Sequence, residues 1–286
     1  MRLSRGVRYL IASAFGFSIM SLLVKVVSRR LPIGEIVFSR AAVTLGLSYA
    51  MVKRAGLSPW GHQRLRLAGR GLIGFGGLSS LYVALSRLPL ADATTLQNAM
   101  PLVTALLAWW LLGERIGWST GVAIVCGLAG VALIVHPTGD GLDPVGVAAA
   151  LCGVVCSSFA YVTVRRLART EHALVIVFYF PLVATPLALP WMLSSFAMPR
   201  PIDWLLLVGL GAATQVGQVC MTRGLALESA GRATTISYLQ VALAMTWQLL
   251  VFGDLPGPWT LAGASLIVGG TLVVAQVTSL RARPAR

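Results

Sequence analysis

Arg40 follows Glu35 by five residues inside an otherwise apolar run, which on a helix is a separation of about 7–8 Å. A guanidinium in a membrane costs about 2.5–3.5 kcal/mol at the centre and less near the edge, so it faces an interior, pairs with a carboxylate such as Glu35, or snorkels. Facing a cavity, its fork of donors would attract a carboxylate or phosphate. Other polar residues recur at helical spacing in apolar runs. Gln215 and Gln218 stand at i, i+3, and Thr94 and Asn98 at i, i+4 with Gln97 beside them. Gln240 and Gln248 are i, i+8 with Tyr238 and Trp247 close by, and Tyr82 shares a face with Ser79 and Ser86. The amides can hydrogen-bond a polar solute while the rings cover its apolar part. This is binding chemistry. There is no H-E-x-x-H, no P-loop, no carboxylate pair at helix spacing and no histidine within an apolar run, so an integral membrane lipid-modifying enzyme is only a remote alternative.

The elements that must position these residues follow from composition. With 57% hydrophobic and 11% charged residues and a mean hydropathy of +0.81, the chain has too little polar surface to coat a water-soluble globule. Runs long enough to span a bilayer lie near 8–28, 33–53, 66–86, 92–113, 117–136, 144–165, 173–193, 204–224, 231–252 and 258–278. The first run is not read as a secretory signal, because it ends in Lys25 and Ser28-Arg29-Arg30 without a small-residue cleavage site.

The formal charge of +14 raises nucleic-acid binding, and the placement of the charges rejects it. With the N-terminus inside, inner segments hold Arg2, Arg5, Arg8, Lys53, Arg54, Arg64, Arg66, Arg70, Arg115, Arg165, Arg166, Arg169, Arg223, Arg232, Arg281, Arg283 and Arg286. The outer loops keep Arg29, Arg30, Arg87 and Arg200. The positive-inside rule therefore predicts both termini in the cytoplasm of a bacterial plasma-membrane protein. Seven tryptophans near span ends form an aromatic belt, and only Trp247 lies deeper.

Sliding the sequence against itself by 140 positions puts Ala93-Thr94-Thr95 on Ala233-Thr234-Thr235, Gly113-Glu114 on Gly253-Asp254, and Gly69 and Gly71 on Gly209 and Gly211. The chain reads as two homologous units, 1–140 and 141–286, each with five spans. An odd number inverts the second copy relative to the first, a plan of secondary transporters that hold substrate where the halves meet. The expected fold class is all-α integral membrane, with ten transmembrane helices as two inverted five-helix repeats.

Span 1 carries Ser18, Ser21 and Lys25 on one edge, and span 6 repeats the stripe as Ser158, Tyr161 and Arg165. These stripes suit either helix packing, with Lys25 snorkelling, or a moving polar edge. Pro101 should bend span 4 and free a carbonyl, while the second copy has Val241 in its place. Cys152 and Cys156 are i, i+4, but no histidine lies at their depth, so no metal site is expected. Spans 5 and 10, dotted with glycine, read as packing or dimerisation surfaces, leaving a homodimer open.

The stretch Leu88-Pro89-Leu90-Ala91-Asp92-Ala93 leading to Pro101, then Leu111-Leu112-Gly113-Glu114 with Gly121 and Gly127-Leu128-Ala129-Gly130, resembles the EamA branch of the drug/metabolite transporter superfamily, as does Arg40 after Phe38-Ser39. The resemblance implies a ten-helix basket without cofactors, a cavity walled mainly by spans 3, 4, 8 and 9, and gating by spans 1, 2, 6 and 7. Substrate-binding candidates are then Arg40, Tyr82, Thr94, Gln97, Asn98, Gln215, Gln218, Tyr238, Gln240, Trp247 and Gln248. Lys25, Glu35, Pro101, Tyr161 and Arg165 are the gating candidates. Members of this family carry amino acids, nucleotide sugars, riboflavin or S-adenosylmethionine, in either direction. The expectation is a carrier exporting an amino-acid-like compound or drug, with import of a vitamin or nucleoside-like metabolite as the alternative. With no acid near the midplane, facilitated diffusion or exchange is expected rather than proton coupling.

Overall fold

The structure, a computed structural model, describes residues 4–100, 102–104, 106–107, 118–135, 142–167, 170–227, 236 and 239–281. Among them stand ten helices: α1 (Arg5–Val27), α2 (Ile33–Arg54), α3 (Arg64–Arg87), α4 (Leu90–Gln97), α5 (Trp118–Val135), α6 (Pro144–Leu167), α7 (Ala173–Ser194), α8 (Pro201–Leu227), α9 (Leu239–Trp247) and α10 (Pro258–Arg281). A π-helical turn, Gln248–Phe252, extends α9. Five of the described helices are long and apolar enough to cross a membrane. Leu72, Val125, Leu128, Leu205 and Leu250 stand exposed, as lipid contact allows and water would not.

Local chemistry sets the boundaries. Ser4 caps α1 by accepting from the Val7 amide, and prolines at the first positions of α6, α8 and α10 use a slot where a missing N–H costs nothing. The turn after α9 closes on Gly253 in the left-handed region, at φ 74°.

The helices pair by a swap between the halves. α1 packs on α8 as α3 packs on α6, α2 also touches α8 as α7 touches α3, and α2·α7, α5·α10 and α4·α9 pair with their own repeat mates. This pattern is that of a pseudo-two-fold axis passing between α2 and α7. Matched glycines make the close approaches. A Cβ on Gly71 would lie 2.9 Å from Val183, and one on Gly211 would lie 2.5 Å from Val43; the two contacts are related by the 140-residue shift. Neither site admits a larger side chain without displacing its partner helix.

The helix ends lie on two faces. The basic face holds the start of α1 and the α2–α3 and α6–α7 connections; the arginine-poor face holds the α1–α2, α3–α4 and α7–α8 connections. The arginine-poor face is closely tied together. Lys25 Nζ donates to the Leu88 carbonyl, Thr260 donates to buried Asp92, and the Ala91 amide donates to Gln248 Oε1 at 2.7 Å. Arg30 pairs with Asp203 at 3.5 Å, and Arg29 lies over the Phe252 ring at 4.7 Å.

On the basic face Glu171 accepts from the His62 and Gln63 amides at 2.7 and 2.5 Å, and Tyr179 donates to the Trp60 carbonyl at 2.8 Å. These bonds hold the α2–α3 connection against the start of α7.

Candidate functional site

Among the described residues, a group of buried polar side chains surrounds Arg40, on the α2·α7 seam. Its side chain is 2% exposed. Nε donates to Thr214 Oγ1 at 3.3 Å, and the guanidinium carbon lies 5.2 Å from the Phe180 ring centre and 5.8 Å from that of Tyr82. Stacking on aromatic faces offsets part of the desolvation cost, by about 2 kcal/mol or more at a desolvated site. Arg40 Nη1 has no hydrogen-bond partner among the described residues. The sequence spacing allowed Glu35 as its counter-ion, but Glu35 accepts instead from the Ala197 amide at 3.2 Å, near the arginine-poor face.

Arg70, counted above among the charges of the inner segments, at the inner end of the run 66–86, is a correction. It lies within α3, is 8% exposed, and stacks over the other side of the same seam with its guanidinium carbon 5.1 Å from the Phe180 ring centre. Its Nε and Nη1 are also unpartnered. Glycine at position 74 makes the room, since a Cβ there would lie 2.9 Å from the Phe180 ring and 3.8 Å from Arg70 Nη1. Hydropathy alone placed Arg70 at the rim of its span; the packing of α3 against α7 sets it beside Phe180.

Arg40, Arg70, Thr44, Thr214, Gln215 and Gln218 line one pocket. Its free volume is about 10 Å³, room for about one water. Pro181 also lines it, and having no N–H it leaves the Val177 carbonyl without its usual i+4 donor. Toward the basic face the wall continues along Val177 into a cavity of about 180 Å³ that is lined by His172, Val219, Thr222 and Arg223. Thr222 is one turn beyond Gln218 on α8 and Val177 lines both pocket and cavity, so the cavity lies beside the pocket on the side of the basic face.

The other candidates divide by location. Gln215 is a pocket residue held by Ser48, which donates to its Oε1 at 3.1 Å, and Gln218 is half-buried beside it. Tyr82 is fully buried behind Arg40. Thr94, Gln97 and Asn98 form another group, on α4 and at its C-terminal cap: Asn98 donates to the Thr94 carbonyl at 2.8 Å and Gln97 to Ser157 at 3.3 Å, while Thr94 Oγ1 and Gln97 Oε1 have no partner among the described residues. Gln248 holds the start of α4 through Ala91, and Trp247 donates to Ser18 at 3.3 Å. Gln240 is half-buried on α9, and Tyr161 half-buried on α6. Lys25 and Glu35 lie at the arginine-poor face. Arg165 lies on α6, with its side chain outside the description, and Tyr238 and Pro101 lie outside the described residues. Thr44 and Thr214 escaped the sequence reading, although each sits one helical turn from a residue it singled out, Arg40 and Gln218 respectively.

Comparison with known proteins decides the family. The EamA-like transporter family matches twice, over residues 4–136 and 144–276. The chain belongs to that family. Among its EamA relatives, the pseudopaline exporter CntI of Pseudomonas aeruginosa is 34% identical over 93% of this chain and 94% of that protein. Human solute carrier family 35 member G1 is 28% identical over 93% of this chain and 78% of its own length. An S-adenosylmethionine uptake transporter of Rickettsia prowazekii is 26% identical over 72% of this chain and 69% of its own. A solved crystal structure superposes with a TM-score of 0.69 over 95% of this chain and 99% of that one, at 22% identity, and establishes the shared fold. This is therefore an EamA-type membrane transporter, all-helical and built from two repeats.

Proposed function

We propose that this EamA protein is a carrier that exports a small amino-acid-like metabolite or drug with an anionic group across the bacterial plasma membrane by alternating access. The observation that carries this is Arg40, buried, short of a partner and facing a pocket between the two repeats. An unsatisfied guanidinium at such depth is expensive, and a bound carboxylate offsets that cost through paired charge-assisted hydrogen bonds. The units 1–140 and 141–286 would rock about the α2·α7 seam. The basic face is assigned to the cytoplasm by the positive-inside rule. The cavity at Thr222 and Arg223 then belongs to the cytoplasmic side, and the tied arginine-poor face is the closed outer side. An exporter relative at 34% identity supports the outward direction. Import, as the more distant S-adenosylmethionine transporter is named for, is the other direction to be tested.

The test uses inside-out membrane vesicles containing the protein, incubated with a mixture of amino acids, their dicarboxylic derivatives, nucleosides and vitamins. A carrier enriches one compound unaltered in the lumen, and Arg40→Gln slows the enrichment by about 10-fold or more. Absence of enrichment from vesicles of either orientation, or chemical alteration of the solute, rules the reading out.

A further inference from the structure

We propose that Arg40 and Arg70 together form a seat for a doubly charged anion, so that the cargo bears two carboxylates or a phosphate group. The proposal rests on the carrier reading above and narrows its substrate class. Both guanidinium carbons lie within 5.2 Å of one ring centre, that of Phe180, and both face the same pocket. The ion pairs among the described residues, Arg30–Asp203, His62–Glu171 and Arg87–Asp143, leave both of them out. Three donor atoms, Arg40 Nη1 and Arg70 Nε and Nη1, are buried without partners.

Packing alone does not explain this pair. Under the 140-residue shift, Arg70 corresponds to Leu210, which is fully buried, and Arg40 corresponds to Phe180. The second repeat fills both places with apolar side chains, so the fold has no need of charge there. Two like charges in one buried pocket also repel each other and are poorly solvated. A monoanion would satisfy one fork and leave the other bare. The pocket as it stands holds about one water, so a dianion enters when the helices around it part, and it then engages both arginines while Thr214, Gln215 and Gln218 supply neutral polar contacts on the opposite wall. Arg223 at the cavity mouth extends the positive path toward the basic face, where it steers anions inward.

The test is thermal stability and titration calorimetry of the full-length protein in nanodiscs with succinate, inorganic phosphate or acetate at matched ionic strength. The seat predicts that succinate or phosphate raises Tm and acetate does not. Stabilisation by succinate alone marks a dicarboxylate cargo and by phosphate alone a phosphorylated one, and either supports the seat. Arg70→Met, close in volume, should weaken the effective dianion about tenfold or more while leaving Tm without anion unchanged or higher. Arg70→Lys should recover part of the affinity. Equal stabilisation by acetate, no stabilisation by any of the three, undiminished affinity in Arg70→Met, or a lower anion-free Tm in that variant would overturn the proposal. The vesicle assay reads the carrier separately. A protein that fails the anion test yet moves solute loses the seat and keeps the transport function.

Discussion

Arg40 and Phe180 are repeat mates, 140 residues apart, and they touch: the guanidinium carbon lies 5.2 Å from the ring centre. Equivalent residues can meet only near the symmetry axis, so this contact locates the axis at the pocket. There the two halves differ in chemistry. One contributes a cation and the other the aromatic face that supports it, and the pocket is asymmetric although the scaffold is not.

Arg40→Gln should lower transport kcat/KM by about 10- to 100-fold, the equivalent of a lost hydrogen bond to a charged group of about 1.5–3 kcal/mol. Arg40→Lys retains the charge but loses the fork and the stacking on Phe180, and should fall between. Initial rates in vesicles, normalised to inserted protein, check both. Parental rates in the Gln variant would make Arg40 structural.

Gly211→Leu should destabilise the protein by about 1–3 kcal/mol through overpacking, because its Cβ would sit 2.5 Å from Val43. Gly71→Leu, against Val183, should do the same. Gly46→Ala and Gly69→Ala meet nothing within 4 Å and serve as controls. Thermal unfolding in detergent, followed by tryptophan fluorescence, distinguishes the two groups.

Locking the arginine-poor face should stop transport if the halves rock. Asp92 and Thr260 are in hydrogen-bond contact across α4 and α10. Asp92→Cys with Thr260→Cys, in a chain whose four native cysteines are replaced by serine, gives a pair for a short bifunctional thiol reagent. The cross-linked protein should be inactive and recover on reduction. Undiminished transport while cross-linked would count against alternating access through this face.

Asp143 caps α6 and accepts from Arg87 at 2.9 Å and from the Val145 amide at 3.1 Å. The hydrogen bond from Arg87 holds its carboxyl below the ordinary 3.8. A depressed carboxyl stabilises the fold above its unfolded pKa, and that contribution disappears as pH falls through the folded value. The stability difference between the parent and Asp143→Asn should therefore be constant from about pH 8 to about pH 5, and shrink only below 3.8. A difference that changes near neutrality would assign the titration to another group.

An imposed pH gradient without a substrate gradient should drive no accumulation in proteoliposomes. Glu35, the acid nearest Arg40 in sequence, is bonded to the Ala197 amide and does not pair with that arginine. Trans-stimulation by loaded substrate is the expected behaviour, since closing the pocket empty buries two unneutralised guanidiniums. Uncoupler-sensitive accumulation that disappears in Glu35→Gln would instead identify Glu35 as the proton site.

The sequence by itself determined the apolar runs, the repeat and the presence of an arginine within one of those runs. Span length and hydropathy are properties of consecutive residues, and a bilayer imposes them directly. The helix α2 was expected at 33–53 and ends at Arg54, and α8, expected at 204–224, runs from Pro201 to Leu227. The 140-residue shift likewise needs no coordinates, and it recurs as the matched contacts of Gly71 with Val183 and Gly211 with Val43. Which polar side chains share a pocket was a different matter. That depends on the rotation of each helix and on the exchange that sets α1 on α8 and α3 on α6. No local spacing encodes such pairing. Only the tertiary structure moved Arg70 from the rim to the Phe180 ring and set Gln248 at the head of α4 beside Ala91. It also separated Gln97 and Asn98 from Gln215 and Gln218, because a helix face acquires a meaning only when another helix covers it.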